Sequence, residues 1–257
     1  MSLSVDLYVP TTSWLHDLDP RVKLLGAAIG SAAAFLLQEP LALLAYLGAV
    51  IAILRLGAVP AARIRWVLRG LLPLTILILL IQPWFVVARR ELLALGPVRL
   101  TTGGIATGLV IAIRANALAL LALLPLFTTR HDDLVRGLVQ LGLPYTSGLT
   151  VTLALRYIPV ATGLYTTIRQ AQEARGLDLT RGGLLTRARS FVPILTALVI
   201  ASVRLSDQLA MAMAVRALNH GPRTERRTLV MTGRDWLAVA ILAAGALALV
   251  ALRAAGG

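Results

Sequence analysis

Residues 170–183 read QAQEARGLDLTRGG, a polar stretch in an otherwise apolar chain that sets Arg175 directly before Gly176. Upstream of it, Leu149, Leu153, Tyr157, Val160, Leu164, Ile168 and Ala171 recur in steps of three and four. That spacing predicts one long amphipathic helix over about 146–175. Arg156, Arg169, Gln172, Glu173 and Arg175 lie off the apolar line or at its end, and Pro159 is expected to bend the helix. Gly176 suits the left-handed position that closes a helix. Forty-one positions after Arg175 a similar ending returns as MAMAVRALNHG, with Arg216. It finishes a second predicted helix, 186–219, whose inner line is Leu195, Leu198, Ser202, Leu205, Leu209 and Ala212, and which His220-Gly221-Pro222 stops. A shorter amphipathic helix, HDDLVRGLVQLG, precedes both, with Asp132 and Asp133 favourably placed near its start.

The rest of the chain explains where such helices would sit. Of 257 residues, 58% are hydrophobic and 14% charged, which marks an integral membrane protein. Spans need about 20 mostly apolar residues, fewer where flanking charges snorkel. Residues 24–54 carry one charge, Glu39, and Glu39-Pro40 predicts the tip of a hairpin between two short spans. Residues 70–88, 100–129 and 236–252 supply three more, giving five. Residues 137–155 and 190–203 are also uncharged, but glycine or proline interrupts them. We assign both to helices at or near the membrane surface. Were both to span, Arg175 and Arg216 would lie on opposite sides.

Charge gives the sidedness. With the amino terminus inside, inner segments hold 20 of the 25 basic residues, fourteen of them between Arg130 and Arg234, and outer segments hold four. The bias fits an N-in, C-out chain with a basic cytoplasmic segment. It also accounts for the net charge of +13 without nucleic acid. The expected organisation is a membrane domain at 1–129 with about four spans, a cytoplasmic domain at 130–235 and a last span within 236–257. Residues 1–20 have three aspartates and no basic residue, the reverse of a cleavable signal. Instead Asp19 and Pro20 in HDLDPRVK announce a helix start.

Several chemistries are excluded. The chain has no cysteine, so disulfides and thiolate metal sites are out. Its one lysine, Lys23, lies in Val22-Lys23-Leu24, so no P-loop exists and the chain cannot bind nucleotide in that way. His16, His131 and His220 are isolated, and neither a metal site nor a cofactor is expected. Arg114, inside a span, is functional by default, but a structural role is the better reading, either pairing with a backbone or polar group between helices or snorkelling.

A single arginine in a last helical turn needs no more than the macrodipole, worth a few tenths to about 1 kcal/mol. Two of them on small-residue necks, Ala174-Arg175-Gly176 and Val215-Arg216-Ala217, suggest more. Slim tips can enter grooves, where a guanidinium fork finds carboxylates. A partner with two grooves, such as a dimer, would suit them.

At this point LPYTSGLTVTLALRYIPVATGLYTTIRQAQEARGLDL resembles the T-component of energy-coupling factor (ECF) transporters. So does SWLHDLDPRVKLL, through its Leu18-Asp19-Pro20-Arg21-x-Lys23 core, and so does the flank of Arg114. The resemblance implies an all-α polytopic membrane protein of a bacterial or archaeal cell membrane. It implies coupling helices whose triplets, Ala174, Arg175, Gly176 and Val215, Arg216, Ala217, each enter one of two ATPase subunits. It further implies a separate small substrate-binding membrane subunit, for a vitamin or a metal ion, and no catalysis by this chain. The second triplet keeps the arginine but not the usual neighbours. Two competitors are a conventional ABC permease with its own substrate path and a membrane-embedded enzyme. The enzyme would need clustered polar residues within the spans, where only Arg114 and Asn116 stand out.

The sidedness is directly testable. A single cysteine at Gly182 should resist an impermeant thiol reagent added from outside and react once the membrane is opened. Labelling of intact cells would reverse the topology.

Overall fold

The computed structural model describes residues 9, 11, 13–85, 91–95, 98–178, 183–217 and 231–255. They form nine helices and one small hairpin: α1 Trp14–Asp17, α2 Pro20–Leu36, α3 Pro40–Leu56, α4 Ala61–Phe85, β1 Glu91–Leu95, β2 Val98–Thr101, α5 Thr102–Thr128, α6 His131–Gln140, α7 Tyr145–Ala174, α8 Leu184–Val215 and α9 Gly233–Ala255. The chain divides into two compact units, one of Met1–Pro144 with Leu229–Gly257, the other of Tyr145–Thr228.

In the first unit α2 and α3 are two short helices of 17 residues each, separated at Glu39-Pro40 where a break was expected. Asp19 caps α2, its carboxylate accepting from the Arg21 amide at 2.9 Å, and Pro20 opens the helix. α4 begins at Ala61, so Arg63, Arg65 and Arg69 lie on the same helix as the uncharged run that follows them. Residues 86–88, the expected end of that span, fall outside the described residues. The antiparallel hairpin β1–β2 was not anticipated. Its strands flank Gly96-Pro97, a turn-favouring dipeptide that a search for 20-residue apolar runs passes over. α5 packs on α2, α3 and α4, and α9 packs on α2. The densest part of the core is Val50, Leu54, Val59, Ile64, Val67, Leu120, Leu121, Leu124 and Phe127, where α3 ends, α4 begins and α5 ends. By length and composition α4, α5 and α8 can cross a membrane, and α3 is a shorter apolar helix. The capacity of α8 was not expected from the interrupted run 190–203, because Pro193 stays inside the helix and the apolar stretch continues to Val215.

Buried polar groups in this unit are knotted together. The Lys23 ammonium donates to the His16 carbonyl at 3.0 Å, the Thr128 carbonyl at 3.1 Å and the Thr129 hydroxyl at 3.0 Å. Those are all three of its protons. Next to it the Asp19 amide donates to Asp235 Oδ1 at 2.8 Å, and the Thr232 amide and hydroxyl donate to Oδ2 at 2.8 and 2.6 Å. α1, α2, α5 and α9 are thereby tied at one end. Higher up, Arg114 has the structural role foreseen for it. Its Nε donates to the Ala34 carbonyl at 3.0 Å and its Nη2 to the Leu37 carbonyl at 2.7 Å, with the guanidinium 5.5 Å from the Phe35 ring centre. These are carbonyls at the end of α2 that the helix itself leaves unpaired.

In the second unit α7 and α8 pack on each other. Leu149, Leu153, Tyr157, Leu164 and Ile168 are half-buried as the periodicity requires, whereas Val160 and Ala171 are exposed. On α8 the inner line is shifted. Ile194, Ala197, Leu198, Ala201, Leu205 and Leu209 carry the burial, and Leu195, Ser202 and Ala212 face outward. The two lines differ by only one position at Leu195 and Ser202, about 100° around a helix of 3.6 residues per turn, and both are rich in small and apolar residues.

Two consequences follow for stability. Lys23→Met should leave the His16 and Thr128 carbonyls and the Thr129 hydroxyl without their donor, at about 1–3 kcal/mol for each buried acceptor left unpaired. Thermal unfolding in detergent would show it, and an unchanged midpoint would remove the knot from the account. His16 gives a pH dependence. Burial holds its imidazole below the ordinary 6.5, with Lys23 pushing the same way and the Val9 carbonyl and Asp17 opposing. The unfolded chain therefore takes up this proton at higher pH than the folded one. Stability from neutral His16 is complete above 6.5 and is lost as pH falls through the lower folded value. His16→Gln should lose less thermal stability than wild type between about pH 7 and pH 5; equal losses would contradict this.

Candidate functional site

The two helix ends singled out in the sequence share one backbone geometry. At the end of α7, Gly176 adopts φ +90°, its amide donates to the Glu173 carbonyl at 3.0 Å, and the Leu177 amide reaches back to the Gln172 carbonyl at 3.0 Å. This pair of reversed bonds satisfies carbonyls that the last turn would leave open, and it makes Arg175 the residue on which the helix stops. The end of α8 shares the left-handed residue and the first of these bonds. Ala217 has φ +53°, its amide donates to the Ala214 carbonyl at 3.0 Å, and Arg216 is the closing residue. The helix therefore stops at Val215 and not at the expected 219, because a left-handed residue cannot continue a right-handed helix. Leu218 and Asn219, the rest of the expected helix, lie outside the described residues. At Ala217 a side chain occupies a conformation that costs non-glycine residues about 1–2 kcal/mol.

Both arginines are exposed, and among the described residues neither side chain makes a hydrogen bond or ion pair. The neighbouring acid on α7 is already engaged. Glu173 pairs with Arg169 one turn back at 2.7 Å, leaving Arg175 without a carboxylate. The surroundings of both tips are small or apolar. Ala171 and Ala174 are exposed beside Arg175. Beside Arg216, Ala214 and Ala217 are exposed, Val215 is 87% exposed and Met211 is 70% exposed. A thioether adapts well to a partner surface. Neither Met211 nor Val215 is on the predicted inner line of α8, and both are exposed.

The reach of the tips follows from where the helices meet. Leu164 on α7 and Ala197, Ala201, Arg204, Leu205 and Gln208 on α8 line a shallow groove between them. Beyond Leu164, α7 runs about 15 Å further, and beyond Gln208, α8 runs about 10 Å.

Among the described residues, the two polar side chains that stand out within the spans are both engaged in packing. Arg114 is committed to the end of α2. The Asn116 amide donates to Thr75 Oγ1 at 2.9 Å and to the Ala112 carbonyl at 2.8 Å, joining α4 to α5.

Comparison with known proteins agrees with this arrangement. The profile of the family described as "CbiQ: Cobalt transport protein" matches residues 11–226. The "Energy-coupling factor transporter transmembrane protein EcfT" of Heliobacterium modesticaldum is 33% identical, over 97% of this chain and 97% of its own. The protein of the same name from Bacillus subtilis is 30% identical, over 98% and 99%. A "Putative ABC transporter ATP-binding protein" of Bifidobacterium longum is 27% identical over 95% of this chain but only 32% of its own. With that coverage, and with both tips inside the matched region, the chain belongs to the CbiQ family and is a transmembrane T-component of the energy-coupling factor type.

Proposed function

We propose that this chain carries motion between a pair of ATPase subunits and a separate substrate-binding membrane subunit, in the uptake of a vitamin or metal ion. One observation carries the reading: two long helices that pack together each end on an exposed, unpartnered arginine, set by the same reversed turn. α7 and α8, of 30 and 32 residues, are rods of about 45 and 48 Å. A displacement applied at a tip passes along such a rod to the contact around Leu164. In this reading the amino terminus and residues 130–235 face the cytoplasm of a bacterial or archaeal cell. Ala174-Arg175-Gly176 and Val215-Arg216-Ala217 are the two points of attachment, one for each ATPase.

The macrodipole alone would not need this geometry. A cation that serves only the dipole gains from lying over the last carbonyls, yet here backbone amides already occupy those carbonyls and the side chains are left exposed. The Bifidobacterium relative supports the partnership. Its name is that of an ATP-binding protein, and the present chain corresponds to about a third of it. With no P-loop of its own, this chain depends on another for nucleotide chemistry.

Arg175→Ala and Arg216→Ala should each weaken recovery of ATPase subunits in pull-downs or uncouple hydrolysis from uptake, and the double variant should do worse. Removing one member of a buried charged pair costs about 2–5 kcal/mol. Arg→Lys should rescue only in part, since an ammonium lacks the guanidinium fork. Normal assembly and uptake by the double variant would leave the arginines with the dipole alone.

A further inference from the structure

We propose that the first unit holds one molecule of a zwitterionic aminophospholipid, of the phosphatidylethanolamine class, with an acyl chain between α2, α3 and α9 and its headgroup on Arg234 and Asp17. The space for the chain is a groove of about 540 Å³. Gly26, Gly30 and Ala33 of α2 form its floor, with Ala49 of α3 on one side and Ala238 and Gly245 of α9 on the other. The glycines are held to their small size: a Cβ on Gly26 would lie 3.1 Å from Leu242 Cδ1, and one on Gly30 would lie 3.0 Å from the Tyr46 hydroxyl. The groove offers a ligand no free polar group. The Tyr46 hydroxyl donates to the Gly30 carbonyl at 2.7 Å, and the Lys23 ammonium spends its three protons in the knot.

The dimensions select a lipid chain. From Val22 to Ala33 the groove follows α2 for about 16 Å. That is half of the roughly 30 Å hydrocarbon core, the depth of one leaflet. Its mouth lies where an interface belongs, since Trp14 and Trp236 are both exposed there, at the end of the unit tied by the polar knot.

The headgroup class follows from the mouth. Trp14 and Leu18 also line a polar recess with Asp17, Thr232, Gly233, Arg234 and Asp235. Asp235 is 1% exposed, and both its oxygens are engaged by Asp19 and Thr232. Asp17 and Arg234 remain, exposed and, among the described residues, without a side-chain hydrogen bond or ion pair. An exposed guanidinium and an exposed carboxylate suit a phosphate joined to a primary ammonium. They do not suit a purely anionic headgroup, which Asp17 would repel. Leaving the bilayer gives an acyl chain no hydrophobic gain, only closer packing in a gap that would otherwise lose contacts. Selection therefore rests on the headgroup.

Native mass spectrometry of the full chain, purified in mild detergent and incubated with phosphatidylethanolamine, phosphatidylglycerol or phosphatidylcholine of equal chain length, tests this. One phosphatidylethanolamine should stay bound, preferred by about tenfold, a difference worth 1.4 kcal/mol. Ala49→Trp or Ile53→Trp, filling the groove from α3, should abolish retention, and Ala32→Trp, on the exposed face of α2 outside the groove, should preserve it. Asp17→Asn with Arg234→Gln should keep a lipid but lose the preference. No bound lipid, equal retention of the three headgroups, or retention by both groove-filling variants would overturn the proposal. So would release of a co-purifying membrane protein by Ala49→Trp with lipid unchanged, since a protein helix would then be the occupant.

Discussion

A helix has to stop, and its last carbonyls need donors when it does. Much of this chain depends on one solution. α3, α6, α7 and α8 end on a residue with positive φ, namely Ala58, Gly142, Gly176 and Ala217, and in each case an amide beyond the helix turns back onto a carbonyl of the last turn. In the first unit this device makes tight corners. At Gly57-Ala58 it lets α3 pass to α4 under Leu15, where a Cβ on Gly57 would come within 2.4 Å of Leu15 Cδ2. In the second unit the same device ends two rods in exposed arginines. Backbone amides serve the last carbonyls, and among the described residues the arginines at the two stops make no hydrogen bond or ion pair.

The polar groups of the first unit show the complementary economy. In an apolar surrounding an unpaired donor or acceptor is costly, and the few polar side chains present bind helices together. Lys23 joins α1, α2 and the end of α5; Asp235 joins α9 to the start of α2; Arg114 closes α2; Asn116 links α4 and α5. Residues that could have suggested chemistry inside the membrane are committed to packing. They hold the helices of the first unit to one another.

Much of this was legible in the residues. Asp19-Pro20 marked a helix start and Glu39-Pro40 a break between two helices, both of which the structure has, and the steps of three and four before Ala174 gave α7 to within a residue at each end. Gly176 announced its own conformation because glycine alone takes positive φ without strain. Ala217 did not, since alanine favours helix, and so α8 was extended past its true end. The inner face of α8 was misplaced because small and apolar residues occur around most of its circumference, leaving periodicity little contrast. The β1–β2 hairpin was missed because its strands, of five and four residues, are far shorter than the spans being sought. The knot was not foreseen: Lys23 was read as a flanking charge at a span end and is buried instead, and Asp235 is 216 positions from Asp19, a distance that local patterns do not bridge.

The central claim is that the two stops are points of contact with nucleotide-hydrolysing subunits. Site-specific photocrosslinking tests it most directly. With a photoreactive residue at Ala174 in one variant and at Ala217 in another, irradiation of intact membranes should join each position to an ATPase subunit. The same residue at Gly163, midway along α7, should not form that product. Crosslinks from both tips to lipid alone, or to a protein without a nucleotide site, would contradict the account.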